Sequence, residues 1–263
     1  MGPGVIEMKK ILLASASLFA LSALSPATAA DLGRPYMKAP APVVAIYDWT
    51  GFYIGANGGW GTSHNCWTNT AIAGLATVPP VNEGCHDASG GTVGGQLGYR
   101  WQAQNWVFGL EAQGNWADFS GSNPSLAVPG GAATNRTRID AFGLFTGQIG
   151  YAFSNALLYV KGGAALTNNK YEGLFTGTDI VIDRASTTRW GGSVGAGAEF
   201  AFAPNWSVGV EYDHLFMGRH NYAYSSVFLV PGINTRNDDV RQDVDLVTVR
   251  VNYRFGGPVV ARY

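Results

Sequence analysis

Four sets of residues have types and spacings that chemistry could use. Gly191-Gly192-Ser193-Val194-Gly195 matches G-x-S-x-G, the turn that presents a nucleophilic serine. His64, Cys66, Cys85 and His86 could supply a two-cysteine, two-histidine metal site. Gly90-Gly91-Thr92-Val93-Gly94-Gly95 has the glycine density of a phosphate cradle. Finally, Arg100, Glu111, Lys161, Glu199, Glu211, Asp213, Arg250 and Arg254 are charged residues placed in otherwise apolar segments.

The first three weaken once the elements that must hold them are considered. A nucleophile elbow needs a strand-to-helix turn, and Ser193 lies inside a run that alternates residue by residue with no helix after it. The glycine run likewise precedes no helix. Cys66 and Cys85 lack C-x-x-C spacing, and one even pair in an exported chain reads as a disulfide. Such a bond closes about 20 residues and is worth roughly 3 kcal/mol in the chain-entropy model. No metal or cofactor is expected. Of the four histidines, His64, His86 and His220 fall in long connections, and His214 takes an outward register near a strand end, where an interfacial role is preferred over catalysis.

The elements are strands. Trp106, Phe108, Leu110, Ala112, Gly114 and Trp116 form one face, and Val107, Gly109, Glu111, Gln113 and Asn115 the other. A period of two separates these sets completely on a strand and mixes them on a helix. The same alternation recurs in seven further segments, beginning near Phe52, Thr92, Ile139, Leu158, Trp190, Trp206 and Val247. In the segment from Ile139 it is less clean, because Phe142 and Leu144 fall among the polar positions. Composition names the solvent on the apolar face. Only 13% of the chain is charged against 46% hydrophobic, whereas a water-soluble domain carries roughly 25% charge. The net charge of -1 leaves no basic stripe for nucleic acid.

Lys9 and Lys10 precede an apolar run from Ile11 to Leu24, followed by Ala27-Thr28-Ala29. The run is too short to span a bilayer as a helix, so residues 1–29 are expected to be a signal peptide, cleaved after Ala29 or Ala30. Residues 30–48, with Pro35, Pro40 and Pro42, read as a Pro-rich periplasmic linker. The barrel is assigned to residues 49–255 and a C-terminal extension to 256–263.

Connection lengths then choose the architecture. Three connections are a few residues long, and the other four run roughly over 61–91, 118–137, 168–189 and 217–242. Short turns at one end and long loops at the other are the mark of an outer-membrane barrel. The fold class is therefore all-β: an eight-stranded antiparallel up-and-down transmembrane β-barrel with four long extracellular loops. Trp106 and Trp116, ten residues apart on a tilted strand, span roughly 25 Å along the membrane normal. Trp60, Trp116, Trp190 and Phe216 are assigned to an outer aromatic girdle, and Phe52, Trp101, Trp106, Tyr151, Phe202, Trp206 and Tyr253 to an inner one. The eight charged residues take the lumen register, four of each sign, and are expected to form a mutually neutralising ionic plug.

Asp48-Trp49-Thr50-Gly51-Phe52-Tyr53-Ile54-Gly55, Gly94-Gly95-Gln96-Leu97-Gly98-Tyr99 and Val249-Arg250-Val251-Asn252-Tyr253-Arg254-Phe255 resemble the small porin-like outer-membrane β-barrel family of alphaproteobacteria, abundant immunogenic surface proteins. The resemblance covers nearly all of the chain after the signal. It implies insertion by the barrel assembly machinery, which reads an aromatic at the end of the last strand. Phe255 fits that signal better than Tyr263, because Pro258 cannot donate to a ladder. The expected partners are outer-membrane lipid, lipopolysaccharide and an unknown extracellular ligand at the loops. The expected role is structural and surface-binding, with a narrow passive porin second and a lipid-modifying barrel enzyme third.

Overall fold

The structure, a computed structural model, describes residues 47–227 and 230–256. The expected signal peptide, most of the Pro-rich linker and the C-terminal extension after Gly256 lie outside the described residues. Eight strands follow in order: β1 (Gly51–Ile72), β2 (Leu75–Ala103), β3 (Trp106–Pro124), β4 (Ala133–Phe153), β5 (Ala156–Phe175), β6 (Val181–Ala203), β7 (Trp206–Ser226) and β8 (Asn234–Phe255). Each pairs antiparallel with the next, and β8 pairs with β1 from Phe52↔Phe255 to Ile72↔Arg236, closing the ring. Closure leaves the membrane-spanning wall without an edge, which a bilayer demands because it offers no hydrogen bonds to unpaired backbone.

The segments expected as long loops are largely ladder. β1 and β2 continue outward until only Ala73 and Gly74 separate them, both with positive φ. The other outer connections shrink to residues 125–132, 176–180 and 227–233. The physical reason is continuity: strands that run on past the membrane keep most of their backbone groups paired, although the β6–β7 ladder opens between Arg184 and Gly192 and the β2–β3 ladder ends at Ser89↔Ser120, and water now accepts the polar outward positions. Cys66 and Cys85 stand opposite each other in this extension and are joined. Loop 1 is therefore a stapled hairpin.

At the other end the turns share a device. Asn105, Asn155 and Asn205 each end a two-residue turn. Each donates its side-chain amide to a carbonyl of the strand that follows the next hairpin partner: Ala152 (3.0 Å), Ala201 (3.2 Å) and Arg254 (2.8 Å). The same three residues return an N–H to the asparagine carbonyl at 2.7, 2.8 and 2.8 Å. The similarity between Asn105-Trp106 and Asn205-Trp206 in sequence is this clasp plus an outward tryptophan packed edge-on to Tyr151 or Tyr253.

Bulges correct the register in β4. Pairing slips between Ile139 and Ala141 on both neighbours. Ile139, expected outside, is buried in the lumen, and Asp140, expected inside, reaches the outer wall and bonds Lys170 at 2.6 Å. One extra residue reverses every side chain beyond it. Phe119 and Met217 face inward by unbroken alternation with Asn115 and Leu215, and a similar slip between Phe216 and Gly218 reverses β7 only beyond Met217, so that Tyr224 and Ser226 are the buried positions.

Candidate functional site in the barrel lumen

From the inner mouth outward the lumen is built in layers. Trp49 is buried at the mouth, its backbone N–H donating to Gln102 Oε1 at 2.8 Å. Arg254 lies beside it but meets no carboxylate among the described residues: its guanidinium donates to the carbonyls of Thr50 (2.9 Å) and Pro204 (3.3 Å) and sits over the Tyr47 ring. Its expected place in the ionic plug is thereby corrected. Two chain carbonyls and the Tyr47 side chain at the mouth take up the guanidinium instead.

The remaining seven charges do converge. Arg100 Nη2 is 2.8 Å from Glu199 Oε2, and Glu199 also accepts from Ser207 and from Asn252 Nδ2. Arg250 bridges Glu211 (2.8 Å) and Glu111 (2.9 Å). Lys161 bridges the same pair, at 2.8 Å to Glu211 and 3.2 Å to Glu111, and lies 3.5 Å from Asp213. Tyr53 and Tyr159 donate their hydroxyls to Glu111 and Glu211 at 2.6 Å. Every one of these charged groups is nearly inaccessible, which is tolerable because each strong donor faces an acceptor. With Arg254 drawn away, three cations face four carboxylates. The surplus is Asp213, neither of whose oxygens is hydrogen-bonded among the described residues.

Above the charges lies an amide layer. Asn57 donates to Gln96 (2.7 Å), Gln96 to Asn252 (2.7 Å) and Asn115 to Asn57 (2.6 Å).

The next layer is apolar and is not anticipated by the strand alternation alone. Phe119, Phe142, Leu144, Leu215, Met217 and Leu246 form one buried apolar cluster with Ala88, Ile139, Ala165 and Val244. Six strands supply these side chains. The other two supply space: a methyl on Gly61 of β1 would collide with the Phe119 ring and Leu246, and one on Gly191 of β6 would meet Met217 Sδ at 2.8 Å. The apolar layer therefore spans the ring from wall to wall. Its signal was present as apolar residues in the lumen register of β4, β7 and β8.

The outer wall carries the aromatics. Phe52, Trp60, Trp101, Trp106, Trp116, Trp190, Phe202, Trp206 and Phe216 are all exposed, and Tyr253 packs between Trp206 and Phe255. Phe255 ends β8 opposite Phe52. A ring with an aromatic-banded, predominantly apolar outer wall and a buried charge cluster inside is built to meet lipid outside and exclude it inside. The family model for the outer membrane protein beta-barrel domain matches residues 11–255.

The chain belongs to this family of outer-membrane β-barrels.

Within the family's curated members, the chain is 31% identical to the 31 kDa outer-membrane immunogenic protein of Brucella melitensis, over 94% of this chain and all of that one. It is 25% identical to the 25 kDa outer-membrane immunogenic protein of Brucella abortus, over 94% of this chain and 99% of the other. The alphaproteobacterial outer-membrane family implied by the sequence motifs is thus the right one. Among solved structures, OprG from Pseudomonas aeruginosa shares the fold at a TM-score of 0.51 and 14% identity, covering 80% of this chain and 99% of that chain.

The remaining candidates disperse. Ser193 faces the lumen without a hydrogen-bond partner among the described residues. His214 points to the outer wall, 2.7 Å from Asp245, which also accepts from Tyr212. His64 is exposed beside Asp87 (2.6 Å) and Cys66 Sγ (3.4 Å). His86 is buried on the opposite face, bonded to Asn123 and Thr137, and burial holds its imidazole below the usual pKa. The two histidines cannot share a metal, and the two sulfurs are bonded to each other.

Above the apolar layer, in the extracellular extension, a second polar chamber encloses Arg236. Its guanidinium lies 3.3 Å from Asp183, 3.3 Å from Asp238 and 3.5 Å from Glu83, and over the Tyr224 ring. Three buried carboxylates share one cation. Burial, with repulsion from Glu83 and Asp183, pushes the Asp238 carboxyl up to about 6 against the pull of Arg236 and Asn69. Ionising Asp238 thus costs more in the folded chamber than in the unfolded chain, where its pKa is about 3.9. The chamber gains stability as pH falls through 6 towards 4 and loses it as pH rises. Hydrogen exchange of the outer hairpins, corrected for intrinsic rates, is expected to be slower at pH 5 than at pH 7.5. Asp238→Asn is expected to flatten the difference, and an unaltered pH dependence in that variant would refute the assignment.

Proposed function

We propose that this protein is a non-catalytic outer-membrane anchor whose barrel holds a stapled extracellular crown at the cell surface and conducts no bulk solute. The observation that carries this reading is the apolar layer across the lumen, stacked on a paired ionic layer. Water and ions have no lined path through side chains packed from every wall. The non-catalytic part is supported by the separation of Ser193, in the lumen, from His64 and His214, on the outer wall.

The crown supports a surface-binding role. Its tips expose large apolar residues, among them Leu75 at 77%, Val78 at 87% and Leu126 at 70%. Water is a poor solvent for so many aliphatic side chains, and exposed apolar patches commonly mark contact sites. The curated relatives are named as immunogenic proteins, which fits display of these tips. Biogenesis by the assembly machinery through Phe255 belongs to the same reading.

Planar bilayer recording tests it. Pure refolded protein is expected to give no steady large-conductance openings. Reproducible large openings, or swelling of liposomes in small sugars at porin rates, would replace the anchor with a pore.

A further inference from the structure

Just outside the outer girdle, the barrel's two walls differ in charge. On β4–β6 the outward positions hold Arg136, Arg138, Lys170 and Arg184 against Asp140 and Glu172, and Glu172 stands between Arg136 and Arg184 and pairs with Arg136 at 2.7 Å. On the opposite side, β8 and β2 present Asp239, Asp243, Asp245 and Asp87 outward, against Arg219 and Arg241.

Three features of the cationic wall point to one kind of ligand. Arg138 and Lys170 are direct cross-strand partners, and like charges directly opposite repel. Lys170 is neutralised by Asp140 at 2.6 Å. Arg138 and Arg184 have no ion-pair or hydrogen-bond partner among the described residues, so the patch retains positive charge that an anion would relieve. Lys170 stands four residues beyond Leu166, itself paired with Trp190 of the girdle. That is about 10 Å further along the membrane normal, within the headgroup layer. Below the cations the wall is shallow: Ala164 pairs with Gly192, and Gly147 with Gly162, between Phe145, Trp190 and Val194. Small residues there leave a smooth trough at acyl-chain depth.

We infer that the β4–β6 wall is a binding surface for a phosphorylated glycolipid of the outer leaflet, with acyl chains in the Ala164–Gly192 trough and phosphate on Arg138, Lys170 and Arg184. Lipopolysaccharide is among the partners expected from the sequence; the structure selects the wall. The inference rests on the outer-membrane placement and is independent of whether the lumen conducts.

Native mass spectrometry of the refolded barrel in detergent, with bisphosphorylated lipid A as probe, tests it. The wild type is expected to retain lipid A at least about tenfold better than Arg138→Ser/Lys170→Ser/Arg184→Ser, as loss of charge-assisted contacts implies. Arg219→Ser/Arg241→Ser, which also removes a directly opposed pair, is expected to retain it like the wild type. Dephosphorylated lipid A should bind weakly to the wild type, and inorganic phosphate should not displace the phosphorylated form. Equal retention by the triple variant, equal loss in the Arg219/Arg241 variant, or equal binding of dephosphorylated lipid A would overturn the inference. Displacement by inorganic phosphate, or equal retention of phosphatidylglycerol, would reduce the wall to a general anion surface and overturn the glycolipid assignment. Should the triple variant fail to fold, the comparison of the two lipid A forms on the wild type still decides.

Discussion

Arg250→Met is expected to destabilise the folded barrel by about 3–5 kcal/mol, because it strands two carboxylates in a site closed to water. Arg250 is wholly buried and holds Glu111 and Glu211 together from β8. Lys161 alone would then face Glu111, Glu211 and Asp213. Urea unfolding in detergent, followed by the gel mobility difference between folded and unfolded barrel, measures the loss. The cause is separable from the loss of side-chain bulk. Combining Arg250→Met with Glu111→Gln and Glu211→Gln removes the stranded charges and is expected to recover most of the stability, since a neutral well-packed replacement for a buried ion cluster is often tolerated. If Arg250→Met unfolds at the wild-type urea concentration, the ionic layer is not what holds the inner half of the barrel together.

The second large effect concerns the apolar layer. Phe119→Ala is expected to cost about 3–5 kcal/mol, the range for deleting a buried aromatic ring whose surroundings cannot collapse. Neighbouring strands are locked in a closed ladder, so collapse is restricted. Gly61 supplies an internal control. In the wild type a methyl there would strike the Phe119 ring, so Gly61→Ala alone is expected to destabilise. In the Phe119→Ala background only the end of the Leu246 side chain still meets the methyl, and it can turn into the vacated space, so the substitution is expected to cost much less than in the wild type. A favourable coupling of about 1–2 kcal/mol in the double-mutant cycle is the expected signature of direct contact. Strict additivity would mean that these residues do not meet across the lumen. The same Phe119→Ala protein should leak small ions where the wild type does not, which links the packing to the closed state of the barrel.

Much of this architecture can be read locally. Alternation from Trp106 to Trp116 separates a lipid face from a lumen face because the pleat of a strand is set by the chain itself, whatever its neighbours. Strand number, the order of short and long connections, and the inward register of Glu111, Lys161, Glu211 and Arg250 follow in the same way. The limits of that reading appear where one residue changes the count. At Asp140 a bulge reverses the faces, so Ile139 enters the apolar layer and Asp140 leaves the lumen. A bulge is decided by what the neighbouring strands require, and the alternation around it carries only a blurred trace.

An exported, eight-stranded outer-membrane barrel with aromatic bands outside and charge inside is legible segment by segment, because solvent preference and backbone period are properties of each segment. The sequence also brings out Cys66 and Cys85 as a pair. What tertiary structure alone decided is which lumen residues meet. Arg250 and Glu111 are 139 residues apart and come together only because β8 closes on β1 and places β3 across the lumen. Arg254, two positions from Arg250, is drawn instead to carbonyls at the mouth, and Asp213 is left as the surplus charge. Glycines at 61 and 191 acquire meaning only against Phe119 and Met217 on other strands. Faces are local, whereas contacts across a ring depend on strand tilt and closure, which no single segment contains.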